Sequence, residues 1–155
     1  MTGLEVLERC QRYGQEMAQL RARIHFARDA LTRCTRSADV QGHGGGGDRM
    51  GELIARIDML ERRAKAMEGA HNREVIEAAA LCGQMDNAAA ARIVYGTMVE
   101  GQTLRQMMGE LGIDSEATAK SLKRAGRAAL GAQESRIIED GEYVRLRQLA
   151  ARDMA

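Results

Sequence analysis

The chain has no proline and no tryptophan, and only four aromatic side chains among 155 residues: Tyr13, Phe26, Tyr95 and Tyr143. Proline breaks helices by removing a donor and clashing with the preceding turn, so no such break is written into this chain. Aromatic and β-branched residues are too sparse for a large sheet. A sandwich, a barrel or a dinucleotide-binding sheet is therefore not expected. No apolar run approaches the roughly 20 residues of a membrane span, and residues 1–10 carry Glu5 and Glu8, unlike a signal peptide. Cys10, Cys34 and Cys82 form no CxxC motif and no Cys/His pair of zinc spacing, so neither a metal site nor a cofactor is expected. They read as reduced thiols in a cytoplasm. An excess of one charge is lacking too: 23 basic residues against 22 acidic give +1, which by itself implies neither a polyanion binder nor an acidic tail.

What is present is helix-forming. Ala, Leu, Met, Glu and Arg dominate, and they lose little rotamer freedom in a helix, so the expected fold class is all-α. Val6, Cys10, Tyr13, Met17, Leu20, Ile24, Ala27, Leu31 and Cys34 step by three and four residues, as a coiled-coil seam requires. Residues 41–47 form a glycine-rich loop that no helix survives. It lacks the Gly-Lys-Ser/Thr ending of a phosphate loop and reads as a hinge. Asp48 is the expected cap of the next helix. A second seam runs through Met50, Leu53, Ile57, Leu60, Ala64, Met67 and His71, then shifts to Val75, Ala78 and Cys82, a stutter that locally unwinds a supercoil. Residues 1–85 thus read as an antiparallel, coiled-coil-like helical hairpin whose open apolar surface calls for a second copy, a dimer first, or another partner. His71 and His25 are expected as partly buried core histidines, since no second ligand is spaced to join them, and His43 as solvated. Glu74 and Glu77 read as solvated.

Residues 86–131 have another rhythm. Asp86-Asn87 caps a helix over 88–100 that Gly101 ends. Thr103 caps a short helix over 104–111, Gly112 supplies a left-handed turn, and Asp114 is positioned to cap a helix from 115 to about 130. Short helix, glycine turn, longer helix is the layout of a helix-turn-helix. Met107, Leu111, Ile113 and Leu122 lie where the two helices would face each other. Glu116, Ala119, Lys120, Lys123 and Arg127 are expected on the outward face, in a segment with four cations against one carboxylate. In a nearly neutral chain that is a local basic patch. Residues 132–155 form a helical tail with a stripe at Ile137, Ile138, Tyr143, Leu146 and Leu149 and a break at Asp140-Gly141.

The run Thr103-Leu104-Arg105-Gln106-Met107-Met108-Gly109-Glu110-Leu111-Gly112-Ile113-Asp114, with Leu122, Lys123, Arg124 and Ala125 after it, resembles region four of bacterial sigma factors. With the preceding hairpin, residues 4–130 resemble small phage sigma-like regulators related to late-gene activators of the RinA/ArpU type. The resemblance implies a sigma region-four-like helix-turn-helix bundle that binds double-stranded DNA, with bacterial RNA polymerase as a partner. Glu116 falls where such proteins carry a base-contacting glutamate, and Thr118 where they bury a valine or isoleucine.

The function expected is therefore a phage or prophage transcription regulator in the bacterial cytoplasm, not an enzyme and not membrane-bound. Its DNA-binding residues would be Arg105, Ser115, Glu116, Ala119, Lys120, Lys123, Arg124 and Arg127. Arg105, Arg124 and Arg127 would hold phosphates, Lys120 and Lys123 would reach base edges or phosphates, and Glu116 would accept from cytosine. Two alternatives come from different classes. One is a small terminase-like DNA-packaging subunit; the other is a helical adaptor that does not bind DNA.

Overall fold

The computed structural model describes residues 1–41, 47–137, 141, 144–145 and 147–148. The glycines of the loop at 42–46, with His43 among them, lie outside the described residues, as do Ile138, Asp140, Tyr143, Leu146 and Leu149 of the tail stripe. Five helices follow in order: α1 (Gly3–Gln41), α2 (Gly47–Gly83), α3 (Ala88–Met98), α4 (Leu104–Leu111) and α5 (Glu116–Gly131). Apart from one isolated bridge between Thr2 and Glu134, all regular structure among the described residues is helical, and the fold is all-α. No helix among these residues is long and apolar enough to cross a membrane.

The chain forms two compact units, and both long helices contribute to each. The first joins Met1–Gln15 to Ala70–Gly141. Its core is Val6, Leu7 and Cys10 of α1, Ala78, Leu81 and Cys82 of α2, Ala91, Val94 and Met98 of α3, and Leu130 of α5. A reciprocal pair starts α1: the Thr2 N–H donates to Glu5 Oε2 at 2.7 Å, and the Glu5 N–H donates to Thr2 Oγ1 at 3.3 Å. This is a capping box that satisfies donors with no partner inside the helix.

The second unit includes Glu16–Gly69. Here Met17, Leu20, Ile24 and Ala27 of α1 and Leu60, Ala66 and Met67 of α2 are buried. The α1 seam is thus the buried stripe. On α2, Leu60 and Met67 are buried, while Leu53, Ile57 and Ala64 are only half-buried. The two helices run antiparallel within this unit. Arg28 pairs with Glu61, Arg21 shares a cleft with Glu68, and Ala30 shares another with Leu53.

Several polar residues depart from the sequence expectation. Glu74 is fully buried instead of solvated. Glu77 is half-buried and accepts from the Arg136 N–H and the Ser135 hydroxyl. His25 is exposed, with Nε2 3.5 Å from Asp29 Oδ2, and is no core histidine. His71 is half-buried as expected. Asp48 lies within the first turn of α2 instead of capping it.

Candidate nucleic-acid interface

Three helices of the first unit, α3, α4 and α5, pack on one another, and the sequence dictates how closely. A Cβ on Gly126 of α5 would lie 2.5 Å from Val94 Cγ2 and 3.0 Å from the Ala90 carbonyl oxygen of α3. A Cβ on Gly96 of α3 would lie 2.0 Å from Met107 Sδ of α4. The α3–α5 crossing therefore depends on glycine, since backbone stands against Gly126, while at Gly96 the neighbour is the flexible Met107 side chain, which is fully buried. Thr97, also buried, satisfies its hydroxyl by donating to the Ile93 carbonyl at 2.8 Å.

The turn is held by its caps. Thr103 Oγ1 accepts from the Gln106 N–H at 3.2 Å, and Gln106 Oε1 accepts from the Thr103 N–H at 2.8 Å. Gly112 ends α4 at φ +66°, ψ +33°, and its N–H donates to the Met108 carbonyl. That left-handed conformation costs a residue with a Cβ about 1–2 kcal/mol. Ser115 caps α5 by accepting from the Thr118 N–H at 3.3 Å. The cap falls on Ser115 and not on Asp114, one residue later than expected. Asn87 caps α3 as expected, accepting from the Ala90 N–H at 3.0 Å, but α3 stops at Met98, before the expected end at residue 100.

The face of α5 differs from the expected one. Ala119 is fully buried, so it is removed from the set of residues that touch a groove. At 100° per residue Ala119, Gly126 and Leu130 share one inward stripe, with Leu122 half-buried at its edge. Thr118, expected inside, is exposed for the same reason. The small residues that open the outer face are Ala117, Ser121, Ala125 and Ala128, all exposed. Sequence reading missed them, because a helical wheel without a known inward direction cannot distinguish 117 and 121 from 119.

The cations line one flank of this face. Lys120 lies 2.9 Å from Glu116, one turn earlier on α5. That contact, with a further contribution from Arg105, holds the Glu116 carboxyl below the usual carboxylate range. Arg127 lies 3.3 Å from Glu8 of α1 and donates toward Met98 Sδ at 3.9 Å. Lys123 and Arg124 form no ion pair among the described residues, and Arg124 is exposed beside Lys123, which is half-buried. Arg105 and Ser115 are exposed at the turn. Behind it, Arg92 bridges Glu100 at 2.9 Å and Glu110 at 3.1 Å, tying α3 to α4. The arrangement supplies a smooth helix face flanked by cations, two of which already have carboxylate partners.

No family model, curated protein or solved structure matches the chain.

Proposed function

We propose that this protein binds duplex DNA through α5 and regulates transcription, as its resemblance to phage sigma-like regulators implies. The observation that carries the reading is the face of α5: small side chains at 117, 121, 125 and 128, with Lys120, Lys123, Arg124 and Arg127 along one flank, behind a turn capped at both helices. Small side chains let a helix approach the floor of the major groove, and cations on one flank meet the phosphates of one strand. Arg124 and Lys123 are the principal phosphate contacts, with Arg105 and the Ser115 turn beside them. Lys120 and Glu116 act as one unit toward base edges. Arg127 reaches DNA only by exchanging Glu8 for a phosphate. A bacterial RNA polymerase is the proposed protein partner. A homodimer through the second unit is proposed on its exposed Phe26, Ile54 and Met59.

The adaptor reading has one observation in its favour, the neutralisation of Lys120 and Arg127 by Glu116 and Glu8. Selection of bound duplexes from a random library separates the two. Enrichment of a motif is the expected result, and no retention of duplex even at low salt supports the adaptor. A ring of eight or more copies by native mass measurement supports the packaging subunit.

A further inference from the structure

Cys10, His71 and Glu74 meet inside the first unit, although the cysteine stands 61 and 64 positions before the other two. One ligand-capable atom from each, the thiol sulfur, an imidazole nitrogen and a carboxylate oxygen, lies within 4.8 Å of the other two. Cys10 and Glu74 are fully buried, and His71 is half-buried, edge-on to Tyr13 with ring centroids 6.4 Å apart. The Nδ1 of His71 is itself buried and makes no hydrogen bond among the described residues. His71 and Glu74 are three residues apart on α2 and therefore share a face. Cys10 faces them from α1.

We propose that Cys10, His71 and Glu74 form a Zn²⁺ site that ties the N-terminal part of α1 to the C-terminal part of α2. Tetrahedral Zn²⁺, with bonds of about 2.0–2.3 Å, sets its ligand atoms about 3.3–3.8 Å apart, so closing the present cluster takes only side-chain adjustment. The donors also choose the metal. Thiolate and imidazole suit zinc, whereas magnesium and calcium take oxygen ligands. Charge closes as well, since a thiolate and a carboxylate balance one divalent cation. Binding converts the Cys10 thiol to a zinc-bound thiolate and releases its proton to solvent, and the fourth position is left to a water. Glu74 keeps a neighbouring partner; a carboxylate has two oxygens, so one ligates while the other remains held.

The full-length chain, stripped with chelator, is titrated with Co²⁺ and with Zn²⁺. The wild-type cobalt adduct should show a thiolate-to-cobalt charge-transfer band and tetrahedral d–d bands, at one metal per chain. Zn²⁺ at about a hundred times its Kd should raise Tm by about 5–10 °C. Cys10→Ser and His71→Gln should each weaken binding at least tenfold, while Cys34→Ser leaves the spectrum intact. Absence of the thiolate band in the wild-type chain overturns the site, as does its persistence in Cys10→Ser. Should Cys10→Ser fail to fold by circular dichroism, His71→Gln decides: a folded variant with wild-type affinity overturns the site. None of these readouts depends on DNA.

Discussion

At Gly126 and Ala119 the α5 helix lies so close to its neighbours that side-chain volume decides stability. A Gly126→Val substitution puts methyl groups against Val94 and the Ala90 backbone, where even a Cβ is too close. Overpacking of this kind costs about 1–3 kcal/mol or more; chemical denaturation should show a lower midpoint with the helices otherwise intact. The thiols divide by burial. Cys10 is buried, and that burial, reinforced by Glu74, pushes its thiol up to about 12; burial alone pushes Cys82 up to about 11. Since the thiolate is the nucleophile, native metal-free protein treated with an alkylating reagent at neutral pH should be modified at Cys34, which is half-exposed, well before the other two. Mass spectrometry of peptides reads this order. Neither the burial of Ala119 nor that of Glu74 was legible in the sequence. An alanine carries no signal of direction, and a lone glutamate in a charged helix has the pattern of a solvated one.

On the scale of elements, the seam of α1 was legible because its buried positions are nearly all apolar, from Val6 to Ala27. On α2 the stripe widens to Arg63, Ala70 and Glu74. Two of these are ionisable, so the apolar period passes them by, and with them the cluster at Cys10. The short helices were legible through their punctuation. Thr103 with Gln106, Gly112 and Asn87 each perform the local role that their chemistry suits; α3 ends at Met98, ahead of the expected stop at Gly101, and Ser115 for Asp114 is a competition between two adjacent good caps. Thr103→Ala removes the bond that Thr103 Oγ1 accepts from the Gln106 N–H, leaving only the bond from its own backbone N–H to Gln106, and should cost about 1 kcal/mol. Gly112→Val should cost a further 1–2 kcal/mol or so by forcing a Cβ into the left-handed region. Thermal unfolding checks both, and both should weaken DNA binding while α1 and α2 remain helical by circular dichroism.

At the scale of the whole molecule, net charge is near zero and DNA affinity must come from a local field, which salt screens over about 10 Å at 0.1 M. The acids matter as much as the bases. Glu116 sits against Lys120 on the proposed reading face, so Glu116→Gln should tighten non-specific duplex binding a few-fold while relaxing any sequence preference, as read by anisotropy on specific and scrambled duplexes. Composition foretold the all-α class, and helix punctuation foretold the order of the short elements. How long helices divide between two compact units depends on pairings distant in sequence, Arg28 with Glu61 in one unit and Cys10 with His71 in the other, which no local period records.

The most direct measurement is the salt dependence of duplex binding by the wild-type chain and by the Lys123→Ala, Arg124→Ala double variant. Each phosphate contact contributes about 0.9 to the slope of log K against log salt. The account predicts measurable wild-type binding at low salt, and a slope shallower by about 2 in the double variant, with uniformly weaker affinity across sequences. Equal slopes and equal affinities in the two proteins would contradict DNA binding through α5.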